Sequence, residues 1–488
     1  MTTGRAPWMA SLLLATAALV VGCDDDDETA APATETTEAA ASQTAGSIAV
    51  EDLKPCDKQP VPKGYRCGEI EVPWERADPE LGTTTVGFAV RERVAADEPT
   101  QGAIFALEGG PGFSSTGTAH AYEGLFGDLL EHRELVLVDQ RGTGLSGPIR
   151  CPDVQRGRAP EWIGASECAR RLGPRFESYR TSATADDVND IREALGYDEI
   201  AMYGDSYGTY WAQSYAFRHG ETLNALVLDS AYPARNESAW YGSLTRTGVR
   251  SMGVACERVS SCTGDARERL REFVGYMREQ RRDVGLVLEE LQEATYGTPE
   301  SFVEIDRAAT ALRNGNPAPW RDLTRFEHVG YRRPTSFSLA QEFAVSCNDY
   351  PMLWDKSASE PERRAQLEEN IRAQQPGRFA PFTPREQALA GDIGYLYCLT
   401  WPPPTELYEP PISDSDQPTE APVLVVNGEM DSLTTPHEGK LVADEFPDSE
   451  LYIARNAGHV NPLYYRNGKA AKKIRSFLAQ AFAEAPAG

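Results

Sequence analysis

Histidine is scarce, with six in 488 residues, and the chain has no CxxC pair and no HExxH segment. The spacings that usually hold zinc or run dithiol redox chemistry are therefore missing, and neither a metal nor a cofactor is expected. Basic residues are outnumbered: 48 Lys and Arg face 74 Asp and Glu, a formal charge of -26. Charge alone does not draw such a chain to nucleic-acid phosphates or anionic lipid, and nucleic acid is excluded as a partner. No repeat period runs through the sequence, which argues against a solenoid. What is present is 41% hydrophobic and 25% charged residues, enough for a large folded core. The length allows two or three domains, and the expected partner is a small or peptidic molecule.

The N-terminus reads as an address. Arg5 supplies a positive end, and the apolar run Met9–Val21 is too short to span a bilayer comfortably. Val20-Val21-Gly22-Cys23 resembles the lipobox of bacterial lipoproteins, in which the cysteine is acylated and becomes the new N-terminus. Residues 1–22 are thus expected to be a lipoprotein signal peptide, and lipidated Cys23 to anchor an exported chain to the bacterial cell membrane. From Asp24 to Ile48 there are seven acidic residues and no basic one. Such a segment cannot bury enough apolar area to offset its ordering entropy, so 23–48 reads as a flexible acidic tether. The Asp24–Asp27 run matches no calcium-loop spacing and is taken as solvated charge.

Export explains the other eight cysteines, Cys56, Cys67, Cys151, Cys168, Cys256, Cys262, Cys347 and Cys398, an even number suited to disulfides. Their clustering makes nearest-neighbour bridges the simplest pairing: 56 with 67, 151 with 168, 256 with 262, and 347 with 398.

Along the remaining chain, apolar strand-like runs alternate with helical patterns. Ala103–Leu107 stops at Glu108-Gly109-Gly110-Pro111-Gly112, and Glu134–Val138 at Asp139-Gln140-Arg141-Gly142-Thr143-Gly144. Glu199–Tyr203, Leu223–Asp229 and Val423–Asn427 read as further strands, Thr184–Leu195 as a helix capped by Thr184, and Thr209–Arg218 as another helix. This alternation predicts an α/β fold with a mainly parallel sheet covered on both faces. Between Tyr232 and Gln417 the pattern turns to charged helical stretches such as Ala266–Leu291 and Glu360–Ala373. We therefore expect a sheet core over 49–232 and 418–488, interrupted by a large helical cap over 233–417, inserted before the last strands. A cap of that kind lies over the strand ends, where open α/β sheets bind ligands.

Gly204-Asp205-Ser206-Tyr207-Gly208 carries the chemistry. A GxSxG segment says little alone, but here it lies between a strand and an amphipathic helix, the turn that lifts a serine Oγ clear of the backbone. Ser206 is the expected nucleophile. A hydroxyl needs a base, and the base needs an acid to orient it, following in the order Ser, Asp, His. Asp431 ends the late strand in Gly428-Glu429-Met430-Asp431, and His459 stands 28 residues on in Asn456-Ala457-Gly458-His459-Val460. Glu429 is the substitute acid. His437, six residues after Asp431, is the rival base, expected to face solvent from a helix start. The N–H of Tyr207 and a glycine N–H of the Gly109–Gly112 loop, that of Gly110, are expected to hold the oxyanion.

These segments, with Ser206-Tyr207-Gly208-Thr209-Tyr210 and Leu145-Ser146, resemble the tripeptidyl aminopeptidase and proline iminopeptidase family of serine peptidases with the α/β-hydrolase fold. The elbow, the large cap and Ala344-Val345-Ser346-Cys347-Asn348-Asp349 look more like the secreted tripeptidyl aminopeptidase branch. The resemblance implies release of short peptides or single residues from free N-termini through an acyl-enzyme. One departure is Glu108, where iminopeptidases carry histidine; it is expected to change the pocket lining and leave the chemistry intact. An exopeptidase also needs carboxylates for the substrate's ammonium group, and Glu342 and Asp349, together with Glu108, are the candidates. The chain is expected to be a monomer acting on peptides with a free N-terminus. An exported carboxylesterase of the same fold is the alternative, and an inactive peptide-binding lipoprotein a remote one.

Overall fold

Ala103–Leu107, five buried apolar residues between a turn and a glycine loop, forms the strand around which the molecule is organised. Even-numbered Ile104 and Ala106 face one side of the sheet and odd-numbered Phe105 and Leu107 the other, the two-residue period of a strand covered on both faces. The computed structural model describes residues 48–57, 61–95, 97–156, 161–235, 242–325, 335–375, 377–390 and 395–484. Cys23, the tether up to Ser47 and the signal segment lie outside the described residues.

Among the described residues there are nine strands: β1 (Lys54–Pro55), β2 (Tyr65–Pro73), β3 (Thr83–Arg91), β4 (Ala103–Leu107), β5 (Glu134–Val138), β6 (Ile200–Asp205), β7 (Leu223–Asp229), β8 (Val423–Gly428) and β9 (Ser449–Ala454). They pair in the order β1-β2-β3-β5-β4-β6-β7-β8-β9. From β5 to β9 every pairing is parallel, while β1, β2 and β3 run antiparallel at one edge. The predicted α/β-hydrolase fold is what the chain adopts. The antiparallel β2–β3 pair is an addition to the sequence reading; in β2, charged Arg66, Glu69 and Glu71 interrupt the apolar pattern.

Strand order reverses between β4 and β6: β5 lies to one side of β4, and β6 to β9 follow on the other. Open sheets bind ligands in the crevice at such a switch point, beyond the carboxyl ends of the strands. The loop beginning at Glu108 and the turn at Ser206 both leave the sheet there.

Several boundaries moved: the strand read as Glu199–Tyr203 is Ile200–Asp205, that read as Val423–Asn427 extends to Gly428, and the helix read from Thr209 begins at Tyr207. The helix read from Thr184 begins at Thr181. Asp349, distant in sequence, accepts from both the N–H and the hydroxyl of Thr181, while Thr184 Oγ1 turns back to the Arg180 carbonyl. The stretch read as one helix over Ala266–Leu291 is two, Ala266–Glu279 and Gly285–Glu293. Arg281 between them has φ 54°, and the Asp283 carboxylate takes the Gly285 N–H at 2.8 Å, so the chain turns instead of continuing.

The helices between β7 and β8 share an apolar cluster with residues 149–179, to which they contribute Met252, Phe273, Leu288, Phe302 and Phe343. Four disulfides, Cys56–Cys67, Cys151–Cys168, Cys256–Cys262 and Cys347–Cys398, join neighbouring cysteines in sequence. Each restricts the unfolded chain, worth roughly 2–4 kcal/mol. Among the described residues no helix is long and apolar enough to cross a membrane.

Candidate active site

Ser206 sits between β6 and the helix Tyr207–Arg218 with φ 52° and ψ -122°, a conformation that costs on the order of 1–3 kcal/mol and persists only when its surroundings impose it. The glycines around it explain how. A Cβ on Gly204 would lie 2.3 Å from the Gly208 carbonyl oxygen, and one on Gly208 would lie 2.0 Å from that of Leu107. The turn therefore closes only with bare backbone at both positions, and the serine projects at its apex.

The predicted partners converge on it. His459 Nε2 lies 2.9 Å from Ser206 Oγ, and His459 Nδ1 lies 3.0 Å from Asp431 Oδ2. His459 and Asp431 are almost completely buried. The Asp431 carboxylate also accepts from the N–H groups of Leu433 and Thr434 and from the Thr434 hydroxyl, at 3.0, 3.0 and 2.8 Å. Burial pushes this acid up, but the His459 ring beside it and the Thr434 donors outweigh that, and the group stays below the usual carboxylate range. It is therefore an anion, able to hold the His459 ring and to stabilise its protonated form.

Both substitutes stand elsewhere. His437 is exposed in the first turn of the helix Pro436–Asp444. Glu429 is engaged by the Arg258 guanidinium and the Asn456 N–H, which hold it down at about 2.

Across Ser206 lies the Glu108–Gly112 loop. A Cβ on Gly109 would meet Ser206 Cβ at 2.7 Å and Tyr207 N at 3.1 Å, so the loop's main chain rests directly on the turn. Tyr207 opens its helix, and its N–H consequently has no helical acceptor. The loop is strapped from its far side by residues ahead of the helix Leu339–Asp349: the Ser338 N–H donates to the Gly112 carbonyl at 2.8 Å, and Phe113 pairs with Phe337, ring centroids 4.5 Å apart. Gln155 clamps the strap, its side chain donating to the Phe337 carbonyl and accepting from the Leu339 N–H.

Of the amine-binding candidates, Glu342 lies half-buried in the first turn of that helix. Asp349 is buried at the other end with both oxygens committed, to Thr181 and to the Tyr408 hydroxyl. Glu108 is half-buried and takes the Tyr122 hydroxyl at 3.0 Å. A cavity of about 430 Å³, lined by Ile149, Arg150, Arg171 and Tyr179 among others, contains none of Ser206, Asp431 and His459. Among the described residues no group of three or more His, Cys, Asp and Glu is arranged to hold a metal.

Sequence reasoning missed two residues at the site. Thr434, three residues after the acid, reaches both Asp431 and His459 Nδ1; its proximity in the chain was the available signal. Thr295 had none. It comes from the inserted helices, its carbonyl accepts from the His459 N–H at 2.9 Å, and its hydroxyl reaches the Met430 carbonyl at 3.2 Å. The Asp139–Ser146 motif proves to be scaffold: Asp139 ties Thr116 to Leu145, and Gln140 holds the Tyr207 hydroxyl.

A strained serine at the switch point of a mostly parallel sheet, facing a buried histidine and an acid, defines an α/β hydrolase. Residues 102–246 match the family model for the alpha/beta hydrolase fold, and residues 389–487 that for TAP-like protein. The chain is homologous to the tripeptidyl aminopeptidases of this fold. Those of Streptomyces coelicolor and Streptomyces lividans are 25% and 26% identical over 82% of this chain and 78% of their own. The serine protease Hip1 of Mycobacterium tuberculosis is 29% identical over 35% of this chain and 36% of its own. Among solved structures, the proline iminopeptidase of Mycobacterium smegmatis aligns at 15% identity and TM-score 0.38, over 85% of this chain and 99% of that one. The relatives support a hydrolase, and specifically a peptidase, of this fold.

Proposed function

We propose that the protein is an exported serine exopeptidase that releases short peptides, tripeptides foremost, or single residues from free N-termini. The observation that carries this reading is the continuous line Ser206 Oγ, His459 Nε2, His459 Nδ1, Asp431 Oδ2, with links of 2.9 and 3.0 Å, in a chain related to tripeptidyl aminopeptidases over most of its length. His459 takes the Ser206 proton as Oγ attacks the scissile carbonyl, the N–H groups of Tyr207 and Gly110 hold the oxyanion, and the protonated ring then protonates the departing amine. Water enters by the same route and frees the acyl group, regenerating Ser206.

Residues 233–417 act as the cap. Glu342 is the best placed carboxylate for the substrate ammonium, because its helix begins where the strap meets the oxyanion loop. Cys23 anchors the monomeric chain to the outer face of the cell membrane, and four disulfides fit an oxidising compartment. A carboxylesterase is the second reading, favoured by the exposed aromatics Phe113 and Tyr296 near the site, which suit an apolar acyl group.

The test is hydrolysis by the full chain of matched chromogenic amides carrying one, two or three residues with a free amine, the N-blocked tripeptide, and a short aryl ester, each against Ser206→Ala. Turnover of a free-amine amide, lost on blocking and lost in Ser206→Ala, is the expected result and gives the step length. Ester turnover without amide turnover makes the chain an esterase, and no Ser206-dependent turnover makes it a binding protein.

A further inference from the structure

Two acids, buried Asp205 and half-buried Glu108, flank Ser206 without belonging to its relay. Glu108 directly precedes Gly109 and Gly110, and Asp205 directly precedes Ser206 and Tyr207, so each leads into one half of the oxyanion site. Among the described residues no arginine or lysine is paired with either carboxyl. What they share is Tyr122, from the helix Ala119–Phe126: its hydroxyl lies 2.7 Å from Asp205 Oδ1 and 3.0 Å from Glu108 Oε2.

The protons must be counted. A phenol has one, and an ionised carboxylate has none to give. With both acids charged, Tyr122 could donate to only one of them, and the other would set its lone pairs against the phenol oxygen beside a like charge. One proton on the pair turns both contacts with Tyr122 into hydrogen bonds, the protonated carboxyl donating to the phenol oxygen and the phenol donating to the other carboxylate.

We propose that Glu108 and Asp205 share a single proton at neutral pH, and that this pair is a clasp positioning the oxyanion loop on the nucleophile turn. The inference rests on the reading of Ser206 as nucleophile. The remaining neighbours favour keeping the proton: Tyr203 on β6, Asp229 on β7 and Tyr464 on the short helix Asn461–Tyr464 are phenols or an acid, and none is a cation. Burial, with Glu108 adding to it, accordingly pushes Asp205 well above the usual carboxylate range. The clasp acts on a loop held firmly elsewhere, since the Glu108 N–H donates to Ser115 Oγ and the Glu108 carbonyl accepts from Trp211 Nε1. Removing the proton at alkaline pH would leave two carboxylates on one hydroxyl, and their repulsion would push the loop away from Ser206.

The experiment follows the rate at which a fluorophosphonate labels Ser206 in the full chain, from about pH 5 to about pH 11. This probe needs the nucleophile and the oxyanion site but no substrate amine. The unsubstituted chain should lose labelling rate on the alkaline side. Glu108→Gln, whose amide donates permanently, should lack that fall and label roughly tenfold or more faster at neutral pH than Glu108→Ala. In parallel, the infrared carbonyl band of protonated carboxyls at neutral pH should diminish by one group in both Glu108→Gln and Asp205→Asn. An alkaline fall that persists in both amide variants, or a band unchanged in both, overturns the proposal. A chain in which Ser206 does not label at all overturns the serine-hydrolase reading instead, while the infrared band still reports the shared proton.

Discussion

The two halves of the site are held by different parts of the molecule. Ser206 is fixed by the sheet: Gly208 lies against the Leu107 carbonyl at the end of β4, Gly109 lies against Ser206, and the Ser206 N–H donates to the Asp229 carbonyl of β7. Asp431 and His459 are fixed largely by the inserted helices. Thr295 bonds the His459 loop and the Met430 carbonyl, Ser432 Oγ donates to the Leu291 carbonyl, Met430 packs into the helical cluster, and Arg258 grips Glu429. Ser206 is thus tied to the core of the fold. Asp431 and His459 sit on loops that bond the sheet, through the Val460 N–H to Ser230 Oγ, and depend on the inserted region as well.

The sharpest way to break this contrast is a pair of glycine substitutions. In Gly208→Ala the new Cβ meets Leu107 backbone at 2.0 Å, on a central strand that cannot yield. We expect a loss of roughly 3 kcal/mol or more, read as a fall in Tm. In Gly458→Ala the Cβ meets the Thr295 carbonyl at 1.8 Å, and the inserted segment can move away with the His459 loop. Stability should fall less, but turnover should drop about a hundredfold as the histidine leaves Ser206. If Gly458→Ala proves the more destabilising of the two, the division between halves is wrong.

A milder test removes only the Thr295 hydroxyl. Thr295→Val keeps the shape and the carbonyl but loses the bonds to Met430 and Ser432. Each buried hydrogen bond is worth about 1 kcal/mol, so kcat/KM should fall by roughly fivefold to thirtyfold, with Thr295→Ser restoring it. Equal activity in the Val and Ser variants would show that the backbone contact alone suffices.

The smallest effect is expected at Glu429. The Arg258 guanidinium holds its carboxyl at about 2, below its ordinary value, so its contribution to stability is complete above about pH 4.5 and is lost as pH falls towards 2. Glu429→Gln should cost less than about 1 kcal/mol at neutral pH and flatten the acid limb of stability against pH, measured by urea unfolding. An unchanged limb would remove this ion pair from the ties between the halves.

Much of this site could be read from the chain because its signals are local. Gly204 and Gly208 announce a turn that closes only without side chains, and the strand before and helix after it complete the pattern within about twenty residues. The acid and base were legible for a similar reason, each ending or following a strand near the C-terminus. The partners of those residues were not. Nothing in the neighbourhood of Thr295 marks it, because its role depends on a carbonyl placed against His459 from 164 residues away. The start of the helix at Thr181 was likewise set by Asp349, which a sequence reading would assign to the substrate or to solvent.

By itself, then, the sequence determined the sheet's central strands, the nucleophile turn and the order of serine, acid and histidine, since these follow from periodicity and from backbone geometry that only glycine permits. The tertiary structure alone decided which carboxylates cap, which pair with arginine, and which face each other beside the nucleophile. A buried acid's role depends on the charges and donors brought to it in space, and those come from distant parts of the chain.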